Sequence, residues 1–227
     1  MRLALFDLDN TLLPIDSDHA WADFLGRTGV IDGVAHARRN DEFYRQYQAG
    51  ELVIEEFLAF QLAPLARHSR EQLDQWHRQY MLECIEPAML PAARALVRRH
   101  LEAGDLCAMV TATNEFVTAP IARAFGLAHL LAIQLEVGAD GRYTGRHVGV
   151  PSFRDGKVTR TRAWLAGMSL TLADFSQSFF YSDSINDVPL LDIVSDPVAV
   201  NPDPRLAELA AERGWPILDL HGAHHDP

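Results

Sequence analysis

The sequence is poor in several features, and each scarcity closes off a class of protein. It has two cysteines, Cys84 and Cys107, far apart and without metal-ligand spacing. That excludes a disulfide-stapled scaffold, and both thiols read as core residues of a reducing compartment. No apolar run reaches the ~18 residues that a membrane-spanning helix needs. No basic segment leads into an apolar stretch near Met1, so no signal peptide is expected and the expected location is the cytoplasm. Positive charge is short as well: 20 Lys and Arg face 31 Asp and Glu, for a formal net charge of −11. Such a surface repels nucleic acid and anionic membranes, so neither is an expected partner. An anionic ligand would need a local cation. Repeats and low-complexity segments are also absent.

What is present is an ordinary globular composition, 48% hydrophobic and 22% charged over 227 residues. That length supports one sizeable domain and a smaller one. The organising stretch comes at the start. Leu3-Ala4-Leu5-Phe6 is a short continuous apolar run, the pattern of a strand buried on both faces of a parallel sheet. Asp7 and Asp9 follow it at once. In open α/β sheets the ligand crevice lies at the carboxyl ends of the strands. Two carboxylates placed there are costly unless a cation or hydrogen-bond donors share the site. Read alone, the pair is equally well an Asp-Asn turn.

Helical patterns follow over about His19–Arg27, Val34–Gln48, Val53–Ala63 and Arg70–Leu82, punctuated by Gly29, Gly33, Gly50 and Pro64. No strand pattern occurs between Ile15 and Glu86, so residues 16–85 read as an all-helical insert. From Pro87 onward strands and helices alternate. Strands are expected at 106–110, 129–135, 178–181, 197–200 and 215–218, with a hairpin or flap over 137–148. Helices are expected at 91–103, up to Phe125, and at 155–166, 188–194 and 204–213. Pro120 fits the second of these only in its first turn or at a kink. The tail from His221 to Pro227, with three histidines, reads as a frayed end. The alternation predicts an α/β fold with a doubly wound parallel sheet, divided into a core of 1–15 and 86–227 and a helical cap of 16–85.

Three strands end in chemically loaded residues: Asp7 with Asp9, then Thr111, then Asp183 with Asp187. A helix beginning near Ser184 would let Asp183 and Asp187 face one edge. Four carboxylates in one crevice cannot all ionise without a cation. All-oxygen ligands point to a hard ion, Mg²⁺. Lys157, near the start of the 155–166 helix, is the candidate counter-charge for an anionic substrate group. The Thr111 hydroxyl and backbone N–H groups at a helix start make an anion cradle.

Four segments in this order carry a resemblance. They are Asp7-Leu8-Asp9-Asn10-Thr11, Thr111, Gly156-Lys157 and Asp183-Ser184-Ile185-Asn186-Asp187. They resemble the four motifs of the haloacid dehalogenase superfamily of phosphohydrolases, and the helical insert resembles the phosphoserine phosphatase-type members. The resemblance implies a Rossmann-like core with a small helical cap, Mg²⁺ as cofactor and a small-molecule phosphomonoester as substrate. It implies that Asp7 is the nucleophile, forming an aspartyl-phosphate, and that Asp9 is the general acid and then the base. The metal would be held by the Asp7 carboxylate, the Asp9 carbonyl and Asp183, with Asp187 behind them. Thr111 and Lys157 would hold the phosphoryl oxygens, with the N–H groups of Leu8 and Ala112 as extra donors. Asn186 would reach Lys157 or the phosphate, and Ser184 would shape the last loop.

The chain also departs from that subfamily. A glutamate is usual nine positions after the nucleophile, and here the position holds Asp16. Ala112-Thr113 stands where Gly-Gly is usual. Arg38, Arg39 and Arg45 are candidates for gripping a substrate carboxylate. Asp16 and Asp18 suggest an amine-bearing substrate such as phosphoserine or histidinol phosphate, although both could simply cap a helix. Two alternatives remain open. One is a phosphotransferase or mutase using the same aspartyl-phosphate. The other is a non-enzymatic phosphoacceptor domain, in which Asp9 would have no role.

Overall fold

The structure, a computed structural model, describes residues 1–49 and 51–222. Its strands are β1 (Arg2–Phe6), β2 (Leu106–Asn114), β3 (His129–Val137), β4 (Tyr143–Val148), β5 (Gln177–Ser182), β6 (Asp196–Val200) and β7 (Ile217–Leu218). They form one seven-stranded sheet in the order β4-β3-β2-β1-β5-β6-β7. Every pairing is parallel except β3 with β4, which is the expected hairpin. The fold is thus the α/β, doubly wound parallel sheet that strand–helix alternation predicts. β1 sits between β2 and β5, where the strand order changes direction. That is the position at which such sheets open a crevice.

Alternation along β1 explains its central place. Leu3 and Leu5 pack into one core with Ala108, Val110, Phe180 and Leu190, while Ala4 and Phe6 pack into the other with Met109, Val117 and Tyr181. A strand with apolar residues on both faces is stable only between two layers of helices. Those layers come from α6 (Pro91–Glu102), α7 (Glu115–Ala124), α8 (Asp155–Gly167), α9 (Val188–Leu191) and α10 (Pro204–Arg213).

Between β1 and α6 the described residues form helices and no strand: α1 (Ser17–Arg27), α2 (Gly33–Ala49), α3 (Ile54–Ala66), α4 (Arg70–Tyr80) and the short α5 (Glu86–Ala88). Asp16 and Ser69 cap α1 and α4, Ser69 in a reciprocal capping box with Gln72. Trp21, Phe24, His77, Tyr80 and Phe116 form an aromatic nest that joins α1 and α4 to α7. The Tyr80 hydroxyl donates to the Ser17 carbonyl at 2.7 Å, which ties the end of α4 to the start of α1.

Several expected boundaries differ. α3 runs through Pro64 to Ala66, because the proline costs one backbone donor late in an otherwise apolar, well-packed helix. Pro120 lies inside α7, beyond its first turn. α9 ends at Leu191 and not at Val194, and β7 begins at Ile217. β2 does not stop at Val110 but continues to Asn114, its pairing with β3 slipping between those two residues. Such a bulge re-aims side chains at the end of a strand. The frayed-end reading of the tail is corrected at His221, whose Nε2 lies 3.0 Å from the Thr11 carbonyl. His224 and His225 lie outside the described residues. Both thiols are free, as expected, and burial pushes that of Cys107 up to about 11.

Candidate active site

β1 delivers Asp7 directly. Its N–H donates to the Tyr181 carbonyl at 2.9 Å, so the β1–β5 ladder carries the residue to the sheet edge. The chain then turns through Leu8–Leu12, closed by a 3.0 Å bond from the Leu13 N–H to the Leu8 carbonyl, with Asn10 at φ 56°. Asparagine is among the few residues that tolerate that left-handed conformation. The turn places Asp9 beside Asp7 and buries Thr11 beneath them. The Thr11 hydroxyl donates to Asp183 Oδ1 at 2.8 Å and accepts from the Asp183 N–H at 2.9 Å. One side chain thus holds the ends of β1 and β5 together.

Lys157 is the only lysine in the chain. It is 3% exposed, and its ammonium lies 2.6 Å from Asp187 Oδ2 and 3.0 Å from Asp7 Oδ1. A lysine on a helix is ordinarily solvated, so burial between two carboxylates marks a purpose. Burial lowers its pKa, but Asp187 and Asp7 outweigh that and hold the ammonium charged. The Ser182 hydroxyl donates to the same Asp187 oxygen at 2.7 Å. Asp7 also accepts the Leu8 N–H at 2.8 Å.

The approach to α8 is tight. Arg154 is held at φ 51°, and a Cβ added at Gly156 would stand 1.9 Å from the Pro151 carbonyl oxygen. Only glycine fits there. We expect Gly156→Ala to shift the first turn of α8, moving Lys157 from Asp7. It should cost about 2–4 kcal/mol in chemical denaturation, the range of large single-residue effects, together with most of the activity. An unchanged denaturation midpoint would mean that the loop yields freely.

Asp9 is held from two sides. Its Oδ1 accepts the Ser17 N–H at 2.7 Å, and its Oδ2 accepts the Thr113 hydroxyl at 2.8 Å, with Thr111 Oγ1 at 3.5 Å. Burial pushes its carboxyl up to about 6, with the Asp16 charge adding and bonds from Ser17 and Thr113 opposing. Burial raises Asp7 well above the ordinary range, Lys157 opposing and the neighbouring aspartates adding. Asp183 is pushed up to about 7 by burial, against the Thr11 bond.

The predicted core residues therefore stand at one strand edge: Asp7, Lys157 and Asp187 in direct contact, Asp183 tied to the end of β1 through Thr11, Asp9 two residues from Asp7 and close enough to raise its pKa, and Thr111 3.5 Å from Asp9. Others are engaged differently. Asp16 is exposed and accepts the His19 N–H at 2.8 Å, so its carboxylate caps α1. Asn186 accepts from the Arg154 guanidinium at 3.0 Å and not from Lys157. Ala112 is half-buried at the β2 bulge. Arg39 pairs with Glu42 and covers the Phe43 ring, while Arg38 and Arg45 are exposed. Among the described residues no three His, Cys, Asp or Glu side chains stand together at metal-holding separations. The Asp187 carboxylate is taken by Lys157 and Ser182. Thr113 is the site residue that motif reading passed over, and Thr11 stood inside the first motif without a role. The spacing of Thr113 carries no signature, but a threonine two residues past Thr111 was visible as a departure from Gly-Gly.

These features meet known proteins at several levels. Residues 4–192 match the model of the haloacid dehalogenase-like hydrolases. The chain is 50% identical over 219 residues to the histidinol-phosphatase of Neisseria meningitidis serogroup C (strain 8013), covering 96% of this chain and 99% of that one. A crystal structure of a protein of unknown function from Bordetella pertussis Tohama I superposes with TM-score 0.92 at 58% identity, over 96% of this chain and 98% of that one. A substrate-bound phosphoserine phosphatase shares the fold at TM-score 0.66 and 19% identity, over 95% and 91% of the two chains. The chain belongs to the haloacid dehalogenase-like hydrolases. Within that family it is a phosphatase, an enzyme of phosphomonoester hydrolysis.

Proposed function

We propose that the protein is a magnesium-dependent phosphatase of histidinol phosphate, working through an aspartyl-phosphate on Asp7. The observation that carries the reading is the buried lysine clamped 3.0 Å from Asp7 and 2.6 Å from Asp187, at the strand edge where Asp9 also stands. An ammonium so placed aligns the nucleophile and stabilises charge on phosphoryl oxygens in the transition state.

The donor set fits a hard cation. It is all oxygen, and burial, with neighbouring carboxylates adding, raises Asp7, Asp9 and Asp183 towards their neutral forms, which a cation among them would oppose. The carboxylates of Asp7 and Asp183 and the carbonyl of Asp9 would hold the ion, with Asp187 behind them. Bound magnesium supplies charge that draws these carboxyls into their anionic forms and offsets that of the substrate phosphate.

The protein's own residues divide the work. An Asp7 oxygen bonds to phosphorus as the bond to the leaving oxygen breaks, and that oxygen takes a proton from Asp9. Water then bonds to phosphorus, gives its proton to Asp9, and the aspartyl bond breaks. A carboxyl near 6 suits both duties at neutral pH. Asp18, half-buried beside the Asn114 amide at 3.4 Å, is an acidic group for a cationic substrate arm. The 50% identical histidinol-phosphatase supports that choice of arm.

A phosphate-release screen tests this with histidinol phosphate, phosphoserine and an amine-free ester. We expect Mg²⁺-dependent turnover with histidinol phosphate favoured by about tenfold or more in kcat/KM, since a site that pairs a polar substrate group discriminates against esters lacking it. Equal rates on the amine-free ester would remove the substrate assignment, and turnover unaffected by EDTA would remove the metal. An added alcohol that captures the phosphoryl group faster than water would make the enzyme a transferase.

The raised carboxyls also predict how stability depends on pH. Asp9 at about 6 and Asp183 at about 7 bind protons more tightly folded than unfolded, where a carboxyl titrates near ~4. Their contribution is complete below about pH 4 and is lost as pH rises through 6 and 7. Without divalent cation, the thermal midpoint should therefore fall between pH 5 and 8. Excess Mg²⁺ should flatten that fall by binding the ionised forms. A slope indifferent to Mg²⁺ would place the ion elsewhere.

A further inference from the structure

We infer that Thr113 is a positioning residue for the Asp9 proton, its hydroxyl serving as a reversible hydrogen-bond partner for the oxygen that gives and takes it. The inference rests on Asp9 being the acid and base of the proposed reaction. Its observations are geometric. The two Asp9 oxygens have donors of different kinds, and the buried Ser17 hydroxyl near them makes no hydrogen bond. Oδ1 accepts the Ser17 backbone N–H at 2.7 Å, and Oδ2 accepts the Thr113 hydroxyl at 2.8 Å. A backbone N–H only donates, and a proton on Oδ1 would weaken the acceptor that the fixed Ser17 N–H needs. The proton that Asp9 carries is therefore directed to Oδ2. A hydroxyl both donates and accepts. Thr113 donates to Oδ2 while Asp9 is a carboxylate and turns to accept, or releases, when Oδ2 carries the proton. A second donor-only group would oppose the protonated form needed to release the leaving alcohol.

Thr113 is itself fixed. It is buried, and its N–H donates to Thr111 Oγ1 at 3.1 Å. It lies in the stretch where the pairing of β2 with β3 slips, the bulge that turns the end of β2 onto Asp9. The Thr111 hydroxyl, 3.5 Å from Oδ2, is too distant to replace it. The two grips come from different parts of the chain, Ser17 from the first residue of α1 and Thr113 from the end of β2. Together they set the Asp9 carboxylate over the crevice while Asp7 keeps its bonds to Lys157 and Leu8.

The test compares Thr113→Val, Thr113→Ala and Thr113→Ser with wild type and Asp9→Asn. Steady-state kinetics use histidinol phosphate, and first-turnover kinetics use both histidinol phosphate and p-nitrophenyl phosphate. The alcohol of the first must be protonated to leave, whereas p-nitrophenolate leaves without a proton. Thr113→Val and Thr113→Ala should lower kcat for histidinol phosphate by about 10- to 100-fold with KM nearly unchanged, the usual effect of losing a group that orients a reacting one. Thr113→Ser should recover to within about threefold, since it retains the hydroxyl. The first turnover of p-nitrophenyl phosphate should stay close to wild type in all three. Thr113→Ser as slow as Thr113→Val would mean that the methyl group packs and the hydroxyl does nothing, which overturns the proposal. Equal losses on both substrates in the first turnover would also overturn it. If Thr113→Val fails to fold, the Ala and Ser pair decides the matter alone. Full activity in Asp9→Asn would instead remove the underlying acid–base reading.

Discussion

Asp7→Asn is expected to reduce phosphate release by at least ~10³-fold, because an amide cannot act as the nucleophile that forms the covalent intermediate. The substitution is nearly isosteric, and the amide oxygen can still accept the Leu8 N–H that now bonds Asp7 at 2.8 Å. Lys157 keeps Asp187 as its partner at 2.6 Å. The site also loses one of several carboxyls that burial and mutual repulsion raise. The variant should therefore fold normally, and its thermal midpoint near pH 8 should equal or exceed that of wild type. Activity and stability thus move apart. Residual turnover within tenfold of wild type would put the nucleophile elsewhere. A large fall in the midpoint would mean that the Asp7–Lys157 contact carries stability that the Asp187 contact does not replace.

Lys157→Met should damage both properties. It leaves Asp7 and Asp187 buried without the ammonium that lies between them. Removing one partner of a buried ion pair costs about 3–5 kcal/mol, because the remaining charge has no water to solvate it. Loss of a group that stabilises transition-state charge lowers kcat by about 10²–10³-fold. The two effects separate with pH. Asp7 stripped of its cation holds a proton more tightly in the folded state than in the unfolded one. Its penalty is thus fully felt at high pH and fades as pH falls. Urea denaturation at pH 8 and pH 5 checks this: the deficit should shrink at the lower pH while activity stays low at both. A deficit that does not change with pH would mean that methionine fails by packing and not by charge.

The legible part of this protein followed from local physics. The apolar run Leu3–Phe6 has the pattern of a strand covered on both faces, and it is the central strand, with Leu3 and Leu5 in one core and Ala4 and Phe6 in the other. The alternation after Pro87 yielded the parallel sheet, and the helical patterns before it yielded α1 to α4, whereas the short α5 went unread. The less legible parts are those where distant groups decide. Pro64 looked like a helix stop because proline is one locally, yet packing carries α3 past it. Asp16 was legible both as a substrate ligand and as a helix cap, and only the structure shows that one of its oxygens caps α1. Asn186 was expected to reach Lys157 or the phosphate, and its carbonyl meets Arg154, a residue held at positive φ that no pattern announces.

By itself the sequence determined the order of elements, the strand ends that carry carboxylates, and the single lysine available to balance them. Only the tertiary structure decided which groups answer which: Lys157 with Asp7 and Asp187, Thr11 with Asp183, Thr113 with Asp9. The reason is that periodicity and propensity act over a few residues, whereas these bonds span up to 172 positions. Such partners are chosen by the register of a parallel sheet and by one slip in the pairing of β2, neither of which is encoded locally.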